Sequence, residues 1–189
     1  MKTIRIVLMA LLVAGLAACD DGGSIAGRPA PQEPGPDAIG HYCGMAIVEH
    51  SGPKGQAFLK DRANPLWFSS VRDTLAFTML PEEPKGVAAI YVNDMGRSEN
   101  GREPVPGAWV PVSDAFFVAG SAAVGGMGAM EVVPFAERSA AERFRGAHGG
   151  EIFRFGEVPE RFVLGSTEAP ASPIAGSGDG PAGGSHAKH

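Results

Sequence analysis

Among the residues able to do chemistry in this chain, the sulfur-bearing ones stand out by type and spacing. Cys43 has Met45 two residues on, Met95 lies in Asn93-Asp94-Met95-Gly96, and Met127 and Met130 share the run Gly125-Gly126-Met127-Gly128-Ala129-Met130. In an extended segment residues i and i+2 project from one face. A thiolate at 43 and a thioether at 45 could then grip one ion together. Thiolate with thioether suits Cu(I), whereas hard ions such as Mg²⁺ or Ca²⁺ need carboxylates and carbonyls. The sequence has no Ser/His/Asp spacing, no phosphate-cradling glycine loop and no Cys-x-x-Cys pair. Those absences weigh against most enzyme classes.

Each sulfur also has a plainer reading. A methionine in an apolar strand ordinarily fills core, which is how Met79 reads and, on composition alone, how Met95 and Met130 read. Met127 differs, because in a Gly-Gly-Met-Gly turn a large apolar side chain has little helix or strand to pack against, and the backbone can approach a ligand closely. For Cys43 and Met45 the residues alone leave core and ligand both open. His41 is either an exposed histidine or an imidazole on the Cys43 face, and His50 flanks the segment on the other side. His148 is expected at a helix C-terminus, where its charged form is favoured. His186 and His189 could collect metal at low specificity.

The cysteine count sharpens the question. The chain opens MKTIRIVLMALLVAGLAAC: Lys2 and Arg5, an apolar run from Ile6 to Leu16, then small residues up to Cys19. This reads as a secretory signal over residues 1–18, too short for a stable membrane span. Leu16-Ala17-Ala18-Cys19 resembles a lipobox, in which cleavage leaves Cys19 as the lipidated N-terminus. One acyl chain holds only marginally and two or more anchor stably, so the mature protein is expected in the periplasm, tethered to a bacterial membrane. Of two cysteines, Cys19 is then consumed by lipid, and Cys43 has no partner for an intramolecular disulfide. A lone thiol in an oxidising compartment is open to oxidation unless it is buried or holds a metal. Removing 18 of the 189 residues leaves 171, with 14 basic groups against 21 acidic and a net charge of −7. Nucleic acid is excluded as a partner.

These residues need elements to position them. Residues 19–39 are rich in Gly, Pro and acid without apolar period, and read as a lipidated flexible tether. Residues 165–189 have a similar composition and read as a disordered tail. Between them the fold class is α+β, two small ββαβ lobes in tandem over 40–97 and 98–164. The first pass has a strand around 56–60, a helix from about Pro65 capped by Asn64, and a strand over 87–92. Leu66, Trp67, Val71, Leu75 and Thr78 form the buried stripe of that helix. The second pass has strands over 115–118 and 130–134, a helix over about 136–147 with Ala140, Ala141, Phe144 and Ala147 as its apolar face, Gly149 closing it, and a strand over 152–155.

Several stretches resemble one family. They are the lipobox, HYCGM at 41–45, GPKGQAF at 52–58, WFSSVRDTLAF at 67–77, IYVNDMG at 90–96 and GGMGAMEVVPFAERSAAERFRGAHGGEIFRF at 125–155. Together they are similar to NosL, the copper-binding accessory lipoproteins of bacterial nitrous oxide reductase. One departure is Gly126, where the pattern leads one to expect proline. The resemblance implies a monomer of two ββαβ lobes, similar in arrangement to part of the organomercurial lyase fold. It also implies delivery of Cu(I), through the reductase's assembly machinery, to the copper-sulfide centre. The expected ligands are Cys43, Met45 and Met127, with His41, Met95 or Met130 supplying a further one. Two other classes are weighed against this carrier. A lyase-like thiol enzyme would need more than the one cysteine left after lipidation. A metal-free lipoprotein scaffold would keep every methionine in its core.

Overall fold

The computed structural model describes residues 27–165. The signal segment, Cys19 and the tail from 166 onward lie outside the described residues, as do His186 and His189. The architecture below is that of residues 31–165.

Two antiparallel sheets carry the fold. The first has the order β2-β1-β3-β4, from β1 (Gly55–Leu59), β2 (Leu66–Phe68), β3 (Val87–Asn93) and β4 (Trp109–Pro111). The second has the order β6-β5-β7, from β5 (Phe116–Ala119), β6 (Val133–Phe135) and β7 (Glu151–Arg154). Helix α1 (Val71–Met79) joins β2 to β3, α2 (Arg138–His148) joins β6 to β7, and a short α3 (Glu160–Val163) follows. Each half is therefore ββαβ, with the second strand pairing outside the first and the third on its other edge. This is the tandem repeat read from the sequence. β4 completes the sheet of the first half, although its residues precede the second half without a break.

The first helix begins later than expected. Leu66-Trp67-Phe68 is a buried strand paired with β1 (Gln56 opposite Trp67), and α1 starts at Val71. The cap is Ser70, whose Oγ accepts the N–H of Asp73 at 3.0 Å, in place of Asn64. Ala147, expected on the apolar face of α2, is exposed, while Ala140 and Ala141 are buried as read. His148 ends that helix and Gly149 follows at φ +75°.

Residues 32–38, read as part of the tether, lie against the first sheet. The Gln32 backbone and the Gln56 side chain exchange two hydrogen bonds of 2.9 Å, Trp109 Nε1 donates to Glu33 Oε1, and Ala38 is buried with Ile47 and Trp67. A strip without apolar period is held by polar groups and one small buried residue.

The two halves are not separate bodies. One hydrophobic cluster runs from Val71, Leu75 and Val92 of the first half to Phe117, Ala119 and Val132 of the second, and on to Val163. Met95, just past β3, is 6 % exposed and packs among Val118, Val133, Phe135 and Ala140 of the second half. At roughly 25 cal/mol per Å² of apolar surface removed from water, such a shared core joins the halves firmly.

Candidate metal centre

The Cys43 segment is built as a turn on the open edge of β2. Gly40 pairs with Trp67, and the N–H of His41 donates to the Trp67 carbonyl at 2.7 Å. The chain then reverses: Gly40 N–H bonds the Met45 carbonyl at 2.8 Å and Gly44 N–H bonds the Gly40 carbonyl at 2.9 Å. Gly44 sits at φ +66°, where a residue with a Cβ is disfavoured. Residues 43–45 are therefore not extended, and the premise that Cys43 and Met45 share a strand face does not hold.

The turn is clamped at its aromatic side. Tyr42 Oη donates to Glu83 Oε1 at 2.6 Å, and His41 Nε2 lies 3.3 Å from Glu83 Oε2. Both rings pack on Phe68. His41 thus lines an open hollow of about 590 Å³ that contains no sulfur, while Cys43 faces the other way. Cys43 is half-buried, and its Sγ lies 4.0 Å from His50 Nε2. The nearby histidine is the one seven residues on.

Cys43, Met127 and Met130 line one cavity of about 310 Å³ together with Tyr42, Ser69 and Ser70. The N-terminal turn of α1, including Arg72 and Asp73, and Glu131 line it too. Sulfurs some 84 residues apart in sequence, Cys43 and Met127, therefore meet at one opening. Met127 lines it while 54 % exposed, and Met45 is 38 % exposed and does not line the cavity. Met130 is half-buried, its strand position fixed by a bridge to Val124. Met95 lies in the core and borders a different cavity of about 540 Å³.

Close backbone contact sets the position of Met127. A Cβ at Gly126 would fall 2.6 Å from the Ser51 carbonyl oxygen, and Gly52, at φ +85°, abuts Gly125 and Gly126 in turn. The glycine standing where proline was expected lets the Met127 loop touch the His50–Gly52 segment directly. Lys54 Nζ holds the Gly52 carbonyl at 2.9 Å, and burial pushes the Lys54 ammonium pKa down. Beneath the loop, Glu131 is buried, and that burial lifts its carboxyl from 4.5 to about 8, against the lowering effect of the hydrogen bonds it accepts and of Arg72.

Among the described residues no three His, Cys, Asp or Glu side chains converge. An ion at Cys43 must then draw on thioethers, and one thiolate, one imidazole and nearby thioethers fit a soft monovalent ion better than a hard one. His50 and Glu131 were not among the expected site residues. In the sequence His50 stands out only as a neighbour of the Cys43 segment, and Glu131 only within a stretch of family resemblance.

Comparison with known proteins identifies the family. The NosL family model matches residues 31–163. The copper-binding lipoprotein NosL of Achromobacter cycloclastes is 41 % identical over 177 residues, covering 93 % of this chain and 91 % of that protein. The copper-binding lipoprotein NosL of Stutzerimonas stutzeri is 32 % identical over 183 residues, covering 97 % and 93 %. The crystal structure of the copper chaperone NosL from Shewanella denitrificans matches with a TM-score of 0.64 at 33 % identity, over 69 % of this chain and 96 % of that one. With the family model matched over residues 31–163 and a relative 41 % identical over nearly the whole length, this chain belongs to the NosL family.

Proposed function

We propose that this protein is a Cu(I) carrier: a monomer, anchored by lipid at Cys19 on the periplasmic side of a bacterial membrane, that supplies copper for the copper-sulfide centre of nitrous oxide reductase. The observation that carries it is the single cavity lined by Cys43 from one lobe and by Met127 and Met130 from the other. The names of the relatives, copper-binding lipoprotein and copper chaperone, support the choice of metal.

In this reading Cys43 thiolate is the anchoring ligand and supplies the charge. Met127 closes from the second lobe, Met45 stands exposed on the same turn as Cys43, and His50 and Met130 are the remaining donors at hand. Thioethers bind without charge and without losing a proton, so a partner's donors can displace them one at a time while the thiolate holds last. Binding releases the Cys43 proton and occupies the one free thiol, which accounts for a lone cysteine in an oxidising compartment. The protein carries the ion and catalyses nothing.

Competition between the chain and a Cu(I) chelator in reducing buffer tests this. One Cu(I) per chain, lost in Cys43→Ser, is the expected result, and no competition would overturn the reading. Zn²⁺ should bind more weakly, because one thiolate with thioethers lacks the N and S donors zinc prefers.

A further inference from the structure

Glu131, which directly follows Met130, is only 3 % exposed. Its Oε1 accepts the backbone N–H of Val132 at 2.9 Å and that of Arg72, in the first turn of α1, at 3.1 Å. Its Oε2 has no hydrogen-bond partner and lies 2.8 Å from where a Cβ on Gly125 would stand. A buried carboxyl oxygen without a partner is costly and asks for a reason.

The surroundings supply one. The loop carrying Met127 is held mainly by itself: Gly125 N–H to the Ala129 carbonyl, Gly128 N–H to the Gly125 carbonyl, Glu131 N–H to the Ala123 carbonyl. Among the described residues, the hydrogen bond joining this segment to α1 is the one Glu131 accepts from Arg72. Arg72 is in turn fixed by its guanidinium, which donates to the carbonyls of Val163 at 2.7 Å and Gly165. The start of α1 (Ser69, Ser70, Arg72, Asp73) also forms a wall of the sulfur cavity that Met127 and Met130 line. One side chain therefore grips that wall with one oxygen and backs the methionine loop with the other.

We propose that Glu131 is the positioning residue of this site: it sets the methionine loop of the second lobe at a fixed distance from the Cys43 lobe and makes no bond to the metal. This rests on the Cu(I) reading of the cavity, and the test separates the two. The full chain, in detergent with ¹³C-methyl methionine, is compared metal-free with Glu131→Ala, Glu131→Gln and Gly125→Ala, and each is then titrated with Cu(I) against a chelator. Gln keeps the Oε1 acceptor, while Gly125→Ala keeps the glutamate but puts a methyl 2.8 Å from Oε2, which forces the loop and the carboxyl apart.

In the metal-free chain the Met127 and Met130 methyl signals should move in Glu131→Ala and Gly125→Ala and return towards their original positions in Glu131→Gln. Cu(I) affinity should fall by about tenfold or more in the first two and recover to within about threefold in the last. If Glu131→Ala does not fold, Gly125→Ala beside Glu131→Gln decides by the same signals. Methyl positions unchanged in the variants that fold would overturn the positioning role, whatever the copper result. A wild-type chain that binds no Cu(I) would instead overturn the carrier reading, with the metal-free methyl signals still deciding the role of Glu131.

Discussion

A side chain at Gly40 would collide with the Cys43 sulfur, so the smallest residue in the turn decides where the thiol sits. Gly40→Ala is expected to turn the thiol out of the cavity and weaken Cu(I) binding, with circular dichroism unchanged. Replacing Met by Leu removes a thioether at nearly constant volume and usually costs under about 1.5 kcal/mol. Met127→Leu should therefore lower Cu(I) affinity clearly, though less than Cys43→Ser, and Met95→Leu should leave it at the wild-type level. Equal losses at 95 and 127 in a chelator competition would remove Met127 from the ligand set. Residue type was what singled out Cys43, Met127 and Met130, which line one cavity, but it did not separate them from Met45 and Met95, which do not line it. The choice between His41 and His50 was not legible in the sequence, since it depends on a turn at Gly44 that sends His41 to Glu83 and leaves Cys43 beside His50. Glu131 brings a pH dependence. Its carboxyl keeps a proton in the folded chain up to about pH 8 that the unfolded chain loses near 4.5. The folded state thus binds more protons within that window, and stability must fall as pH rises through it. Melting temperatures should decline from pH 5 to pH 8 in the wild type and decline less in Glu131→Gln. Parallel curves would refute a buried protonated acid at this position.

Helix α1 builds the wall of the site, and its start is the element most open to test. Ser70 satisfies the Asp73 N–H, and removing such a cap costs about 1 kcal/mol. Ser70→Ala should lower stability by that order in urea unfolding, and an unchanged midpoint would show that the cap contributes little. Gly55 in β1 lies so close to Thr74 that any side chain there must displace the helix. Overpacking of this kind costs about 1–3 kcal/mol, so Gly55→Ala should be the more damaging substitution. Strands β1, β3, β5 and β7 and the repeat were readable from alternation and turn residues, whereas β2 and β4 were not. The helix start was misplaced because Asn64-Pro65 imitates a cap with its first residue, and a three-residue apolar run fits a buried strand as well as a helix. Residues 32–38 read as tether because polar hydrogen bonds such as Gln32 to Gln56 leave no apolar period to read.

At the scale of the whole molecule, the halves share one core, so the chain should unfold in a single transition with both sheets lost together. On the proposed reading, Cu(I) held between them would stabilise that unit by mass action, about 2.7 kcal/mol at a free concentration one hundred times the dissociation constant. Two separate transitions, only one of them raised by copper, would contradict a joint site. Cys19→Ser should release the protein from the membrane without changing its Cu(I) stoichiometry. A fall in binding would mean the metal had been placed at the wrong cysteine. The most direct measurement is X-ray absorption at the copper edge of the loaded chain, beside Met127→Leu and Met95→Leu. The expected result is a shell of sulfur neighbours that loses one scatterer in Met127→Leu and none in Met95→Leu. A shell unchanged by Met127→Leu would contradict a Cu(I) site built from both lobes.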